Sequence, residues 1–470
     1  MTRYTLTIQE RHLAALKSMV LPENGQEASA YLLCGRADIA RDPWSGQATR
    51  RLLSLDVVPV AQEDVLSSSE NHVRCRTHSL AKVLQRSQKD DLTVVVVHSH
   101  PPGIHTFSPV DDKEEPYLLE LAQHRNGPGV EVGSLVLTRD GEAFGRVWSN
   151  STTNTPLSLV SVVGDRLSLH FAGRTTGTTP DALQRQALAF GHALNADLAE
   201  LRFGVVGCGA TGSAVAMLLA RVGARRLFAV DRDVVEATNL NRLHGADADD
   251  ARERRLKVDV LKRHVEGMGL GVQVVTHAGW IGDEACRDAI RACDVVFGCT
   301  DDHDGRLFLN RLAYFYLSPV FDVGFKLDVA DGDPPHILDA AGRVTVLMPG
   351  YRCLLCRNVV DPNLAREEYV QRTNPEEYAW QHDQRYVRGD GGPSPAVVTF
   401  TTDLACMAID ELLHRLTGYR RAGSMANRVR KYHLLEDKRP GPSAEATCPI
   451  CLDQGYWGRG DIAPFLDRIG

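Results

Sequence analysis

Two sets of residues in this chain of 470 residues have the types and spacing of chemistry. The first is His98-x-His100, followed after seven residues by Ser108-x-x-Asp111. Two histidines at i and i+2 on an extended segment point the same way, and an aspartate at the start of the next helix can close a third ligand onto the same ion. Three protein ligands leave a fourth position open, the arrangement of a catalytic rather than a structural zinc. The second set starts at Gly207-x-Gly209-x-x-Gly212. It continues through Asp231-x-Asp233, Asn239-Leu240-Asn241-Arg242 and Lys257, and ends at Cys299-Thr300-Asp301. Glycines at such a turn let backbone N–H groups approach a phosphate at a helix N-terminus, which leaves NAD, FAD and ATP all open. The later residues narrow the choice. A dinucleotide enzyme uses the first acid on ribose but has no use for an arginine and a lysine at the phosphates, or for a metal-binding acid at the next strand end. A triphosphate with Mg2+ does: Arg242 and Lys257 can neutralise charge on a leaving pyrophosphate, and Asp301 can hold the metal. An NAD oxidoreductase is the remote alternative.

Eleven cysteines, most of them single within apolar runs, fit a reducing compartment. Two pairs stand apart, Cys353-x-x-Cys356 and Cys448-x-x-Cys451. Two such knuckles make a closed four-thiolate site for a structural Zn2+, with redox-active pairs as the rival. His72-x-x-Cys75-x-x-His78 has ligand-like spacing but precedes a helix and lacks a fourth ligand, so it is not assigned a metal. Cys406 lies inside an expected helix and reads as core, and Cys208 lies within the glycine turn.

The elements that must position these groups follow from hydrophobic period. Residues 1–150 alternate strand-like and helix-like runs, among them a strand Leu92–Val97 that delivers the two histidines and a helix from about Asp111 to His124. Together they predict a compact α+β domain. Ser/Thr/Gly/Pro-rich stretches mark 151–180 as a linker carrying a hairpin with Gly164-Asp165 at its turn. From residue 181 to 470, strands alternate with helices, the pattern of an α/β, doubly wound, Rossmann-like sheet with ligands at the strand C-terminal ends. Residues 357–395 are polar and irregular and read as a mobile crossing loop ahead of a helix from Thr402 to Leu416. Charged residues make up 24% and hydrophobic residues 43%, with a net charge of −7. That balance argues against nucleic acid as a partner. No apolar run is long enough to span a membrane, and the N-terminus has no signal or transit pattern, so the expectation is a cytoplasmic protein with no membrane partner.

The first set resembles the JAMM (JAB/MPN) metalloprotease family, whose motif is a distant glutamate followed by H-x-H-P, seven residues and S-x-x-D. The resemblance covers about the first 150 residues and makes the first domain JAB/MPN-like. In that family the glutamate precedes a short apolar strand ending near glycine, as in Glu27-Ala-Ser-Ala-Tyr-Leu-Leu-Cys-Gly35, here with one residue more than the commonest spacing. Glu23 is the weaker candidate. The resemblance implies a zinc peptidase or isopeptidase that acts at the tail of a ubiquitin-like protein, with Glu27 as general base and Ser108 stabilising the oxyanion.

The second set looks like the ubiquitin-activating superfamily of the ThiF/MoeB/HesA type. It does so over about residues 181–470, through Arg185-Gln186, Phe190-Gly191, the glycine turn, D-x-D, N-L-N-R, the lysine, C-T-D and both cysteine pairs. The resemblance implies adenylation of the C-terminal carboxylate of a ubiquitin-like or sulfur-carrier protein with a glycine tail, with Asp231 on ribose and Asp301 on Mg2+. It also implies a homodimer in which Arg185 reaches the partner's nucleotide, and a conjugating enzyme is a possible further partner. Two departures stand out. The loop RYVRGDGGPSPAVV has no cysteine where thioester-forming relatives carry one, and Leu243 stands where many relatives have glutamine. The expectation is therefore one chain with two activities, trimming or deconjugation of a ubiquitin-like protein and adenylation of its C-terminal carboxylate. Sulfur-carrier activation for thiamine, molybdopterin or cysteine synthesis, and a non-catalytic scaffold, are the alternatives.

Overall fold

Strands that are apolar at every position need cover on both faces, and the first half of the chain supplies it. The computed structural model describes residues 2–69, 72–173, 179–383, 395–442, 447–461 and 465–466, divided between two compact units. In the first unit the order is β1 (Arg3–Gln9), α1 (Glu10–Val20), β2 (Ser29–Ile39), β3 (Thr49–Pro59), a ribbon of β4 (Val65–Ser68) and β5 (Val73–Cys75), and α2 (Thr77–Asp90). Then come β6 (Thr93–His100), α3 (Pro109–Asn126), β7 (Val132–Thr138), β8 (Ala143–Asn150), β9 (Thr153–Val163) and β10 (Ser168–Phe171). The sheet runs β1-β3-β2-β6-β7-β8-β9-β10, and β1 also pairs with β9, so the sheet closes on itself. Leu32, Cys34, Val95 and Val97 face one way, against Leu16 and Val20 of α1. Tyr31, Leu33 and Val94 face the other, against Leu80 and Leu84 of α2 and Leu119 of α3. Period-2 alternation carries His98 and His100 on in the Val94 phase, toward α3.

The expected boundary at residue 150 needs correcting. The hairpin around Gly164 is present, but its strands β9 and β10 belong to the first sheet, and the first unit extends to residue 175. The polar start of β9 hides its second half, where Leu157, Leu159, Val160 and Val162 are buried beside β1. Phe315–Leu317 and Gly455–Ala463 also join the first unit rather than a single domain from 181 to 470. They do so by close backbone approach, which no periodicity marks: a Cβ on Gly35 would lie 2.2 Å from the Gly458 carbonyl oxygen.

The second unit begins with α4 (Gln184–Phe190) and α5 (His192–Glu200), then β11 (Arg202–Val206), α6 (Ala210–Val222), β12 (Arg226–Val230), α7 (Ala248–Arg252), α8 (Lys257–Gly267) and β13 (Gln273–His277). It continues with α9 (Arg287–Ala292), β14 (Val295–Gly298), α10 (His303–Phe315), β15 (Val320–Ala330) and β16 (His336–Leu347). It ends with α11 (Pro362–Thr373), α12 (Pro375–Asp383), α13 (Val398–Thr417), β17 (Asn427–Lys431) and β18 (Glu436–Lys438). The sheet order is β13-β12-β11-β14-β15-β16-β17-β18, parallel from β13 to β15 and antiparallel beyond. Chain order reverses between β11 and β14, and in such sheets the crevice beyond the strand C-termini at that point takes the ligand. No described helix is long and apolar enough to cross a membrane.

The crossing segment is not the irregular loop that its composition implies, because 362–373 and 375–383 are helical. Residues 384–394, most of the cysteine-free loop, lie outside the described residues. Polar latches rather than an apolar stripe hold α11, which is why hydrophobic period misses it. Glu368 accepts the Asp304 N–H at 2.7 Å at the start of α10, and Arg372 pairs with Asp304 at 2.7 Å while stacking 3.4 Å from the Trp280 ring centroid. Burial pushes the Glu368 carboxyl from 4.5 up to about 7. Its contribution to stability is therefore whole below pH 4.5 and lost as pH rises toward 7. Glu368→Gln keeps an acceptor for the Asp304 N–H and is expected to flatten that loss. Denaturant unfolding of both proteins on either side of this window checks it, and identical pH dependence refutes it.

Candidate functional site

The crevice beyond β11 and β14 holds a cavity of about 350 Å³. Gly207, Gly209, Asp231, Asp233 and Asn239 line it, together with Arg242, Lys257 and Asp301. Close packing demands two of the glycines. Gly207 has φ +86°, and a Cβ on Gly212 would lie 1.8 Å from the Gly207 carbonyl oxygen. Gly209 is different, because nothing lies within 4 Å of its missing Cβ and it caps α6 with no side chain. The first N–H groups of α6 are thus left for an anion.

Asp231, Asp233, Asn239, Arg242 and Lys257 each have a defined partner. Asp231 accepts from the Cys208 N–H at 2.6 Å and the Asp233 N–H at 2.8 Å. Burial raises its carboxyl, and the nearby Lys257 opposes that rise. Lys257 Nζ lies 2.8 Å from Asp233 Oδ2. The Asn239 side chain accepts the Glu236 N–H at 3.2 Å, and half-buried Arg242 donates to the Thr238 carbonyl. Asp302 accepts the Gly305 N–H at 2.8 Å and caps α10, while Asp301 is exposed at the cavity. Arg185 is exposed on α4 and does not line the cavity. Leu243 is buried beside Val235 and Val260, so that position works as core.

Sequence reasoning passed over Trp280, Arg306, Phe325 and Thr401, which also line the cavity. Trp280 had a usable signal, since it follows the C-terminal end of β13. Arg306 had none. Only the fold shows that it and Arg343 share the fully buried Asp322, at 3.5 and 2.5 Å.

In the first unit, β6 and the N-terminus of α3 bring the other set together. His98 Nε2 and His100 Nε2 are 3.2 Å apart, and each lies 3.3 Å from an Asp111 oxygen. Two ligands about 2.0 Å from one zinc at tetrahedral angles are about 3.3 Å apart, so the donor set fits Zn2+. Ser108 caps α3: its N–H and hydroxyl both donate to Asp111 Oδ2 at 2.7 Å, and the Asp111 N–H returns to Ser108 Oγ at 3.2 Å. Burial works to raise the Asp111 carboxyl, but hydrogen bonds from His100 and His98 outweigh it and hold the group well below the usual range. Glu27 is buried beside this set, and burial pushes its carboxyl up to about 7 against the pull of His98 and His100. Glu27, His98, Ser108 and Asp111 line one groove, whereas Glu23 is exposed outside it. Both ring nitrogens of His72 face serine hydroxyls, Ser67 at 3.2 Å and Ser69 at 2.7 Å, so His72 is already engaged.

The four cysteines converge in the second unit, with Sγ separations of 3.9 Å for Cys353–Cys356, 3.6 Å for Cys353–Cys448 and 3.5 Å for Cys356–Cys451. Four thiolates about 2.3 Å from a tetrahedral zinc are about 3.8 Å apart, so the cluster fits a structural site and not a pair of disulfides. Cys406 is a correction, for its position on α13 is exposed; partial shielding of the sulfur together with Asp403 and Asp410 raises its thiol. Cys448→Ser is expected to remove one zinc per chain and lower the unfolding midpoint. Metal analysis with thermal unfolding checks it, and a wild-type chain free of zinc would sink the assignment. Gly212→Val should weaken ATP binding by roughly tenfold or more, because the Gly207 carbonyl must move. Equilibrium binding reads the change.

Comparison with known proteins points to the same half of the chain. The model of the ThiF family matches residues 183–451. The adenylyltransferase and sulfurtransferase MOCS3 of Mus musculus is 35% identical over 108 residues, 23% of this chain and 23% of that protein. The sulfur carrier protein ThiS adenylyltransferase of Bacillus subtilis is 28% identical over 144 residues, 29% of this chain and 43% of that one. Ubiquitin-like modifier-activating enzyme 1 of Homo sapiens is 26% identical over 148 residues, 30% of this chain and 14% of its own length. The matched stretches thus span less than half of each relative. Among solved structures, E. coli MccB with ATP is 17% identical with a TM-score of 0.43, covering 58% of this chain and 75% of that one. The family match takes in the glycine turn, the acidic strand ends and all four clustered cysteines over more than half of the sequence, and this chain belongs to the ThiF family.

Proposed function

We propose that the second unit uses Mg-ATP to adenylate the C-terminal carboxylate of a ubiquitin-like or sulfur-carrier protein ending in glycine. The observation that carries this reading is the meeting of the glycine turn, Asp231, Arg242, Lys257 and Asp301 in one cavity. A carboxylate oxygen attacks the α-phosphorus, the acyl adenylate forms and pyrophosphate leaves. Lys257 exchanges its contact with Asp233 for the triphosphate, and Arg242 joins it there, where charge builds on the leaving group. Asp231 receives the ribose hydroxyls, and Asp301 holds Mg2+. Arg185, exposed on α4, is the group that would reach a partner's nucleotide in a homodimer. Zinc held by the four cysteines staples the segment after β16 to the C-terminal stretch. One relative named for a sulfur carrier protein and one named for a ubiquitin-like modifier support the substrate class.

The first unit, on this reading, is a zinc peptidase that trims or removes the same kind of protein in the cytoplasm. When bound at His98, His100 and Asp111, zinc supplies Lewis-acid polarisation of a carbonyl. Glu27 takes the proton of the attacking water and Ser108 donates toward the developing oxyanion. Residues 357–405 contain no cysteine, which favours release to a sulfur donor or a separate conjugating enzyme over a thioester on this chain.

ATP–pyrophosphate exchange, dependent on a glycine-tailed protein, is expected for the wild type and should fall by roughly 100-fold or more in Arg242→Ala. Absence of exchange with every such protein would end the activation reading. Mass spectrometry of the product separates its branches, with a thiocarboxylate marking sulfur transfer and a protein conjugate marking ligation. For the peptidase, Glu27→Gln should cut cleavage of a ubiquitin-like C-terminal fusion by roughly 100- to 10,000-fold with zinc content unchanged. Unaltered cleavage would remove Glu27 from the mechanism.

A further inference from the structure

We infer that Arg146 is the positioning residue of the His98–His100–Asp111 centre, holding Ser108 and Asp111 in ligating register from outside the donor set; this rests on the metal reading above. Phe144, Arg146 and Trp148 alternate along β8 and so share one face. Arg146 donates through Nε to Glu115 at 2.6 Å and through an Nη to Asp112 at 2.6 Å, both on the first turns of α3 just after Asp111. Its guanidinium also lies 3.7 Å from the centroid of Phe107, the residue immediately before Ser108. One side chain therefore grips the chain on both sides of the Ser108–Asp111 segment. Phe107 in turn meets Phe144 edge-on at 5.3 Å, and Phe144 meets His100 at 6.2 Å. The clamp touches the rings around the histidines without offering a ligand of its own.

The far side of the clamp is fully built. Glu115 accepts from Ser134 at 2.6 Å and from Trp148 Nε1 at 2.5 Å as well as from Arg146, and both Glu115 and Arg146 are buried. Charge points the same way. Asp112 and Glu115 take up the guanidinium, so Arg146 makes no contact with Asp111 and leaves that carboxylate to the two histidines. Without Arg146 the buried Glu115 would lose its counter-ion, and the first turns of α3, with Asp111 on them, would be pushed from the register that places the donors 3.3 Å apart.

The test uses the full chain and zinc alone. Zinc is titrated against a chromophoric chelator, and the site lost in His98→Ala identifies this centre. Arg146→Met is expected to weaken it roughly 10- to 100-fold, the usual range for outer groups that orient ligands, and to leave the four-cysteine site unchanged. Cobalt placed at the centre should show shifted visible bands in Arg146→Met, which a merely structural role would not produce. Arg146→Lys keeps the charge but not the fork or the stacking and should restore only part of the affinity. A folded Arg146→Met with wild-type zinc affinity overturns the inference. Should that variant fail to fold, Phe107→Leu decides, since it leaves Asp112 and Glu115 paired: weaker zinc supports the clamp, and unchanged zinc overturns it. If wild type and His98→Ala bind equal amounts of zinc, the metal reading itself falls, a result distinct from loss of the clamp alone.

Discussion

The nucleotide half of this protein depends on a close approach of backbone to backbone. A Cβ on Gly212 would overlap the Gly207 carbonyl at 1.8 Å, and one on Gly207 would lie 2.7 Å from the carbonyl of Cys299. These contacts bring the ends of β11 and β14 together at the point where sheet order reverses. From there the rest of the cavity follows. Asp231 is drawn inward to accept from the Cys208 N–H, Asp233 is set opposite Lys257, and Asp301 leaves β14 at the rim. Atoms only one carbon larger would separate the strand ends that carry the polar groups.

A second constraint recurs in both units: a buried carboxylate that gathers several donors. Asp322 gathers Arg306 and Arg343, Glu115 gathers Arg146, Trp148 and Ser134, and Glu411 gathers Arg415, Arg420 and the Met425 N–H. A buried pair of this kind adds little net stability against an apolar substitute, yet removing one partner is costly because the other charge remains. Such clusters therefore fix geometry more than they add stability. Arg306 at the nucleotide cavity and Arg146 on β8 are each held by one.

Both metal-type clusters come with their spacing in place. The nitrogen and oxygen donors of the first lie 3.2 to 3.3 Å apart and the sulfurs of the second 3.5 to 3.9 Å. The difference tracks the longer zinc–sulfur bond. In the first cluster the helix cap and the ligand are the same pair of residues, so the fold that caps α3 also presents Asp111. In the second, residues from distant parts of the chain meet, and only tertiary folding can bring them there.

What the sequence by itself determined was local. Glycine spacing, the D-x-D and C-T-D segments and the H-x-H strand end each sit within a few residues of a strand terminus, where period and turn chemistry are legible. The candidates for the nucleotide cavity and the histidine–aspartate set were readable for that reason, whereas the two cysteine pairs were readable only one by one, from their C-x-x-C spacing. What only the tertiary structure decided was non-local or polar. The sequence could not show that β9 closes the first sheet or that Gly455–Ala463 joins that unit, because those depend on register and backbone approach between distant segments. Nor could it show that α11 is a helix, since polar latches to Asp304 and Trp280 hold it in place of an apolar stripe. Cys406 took the exposed side of α13 because the rotation of a helix about its axis is set by what packs against it, and nothing local marks Arg146 or Arg306 as the partner of a buried carboxylate.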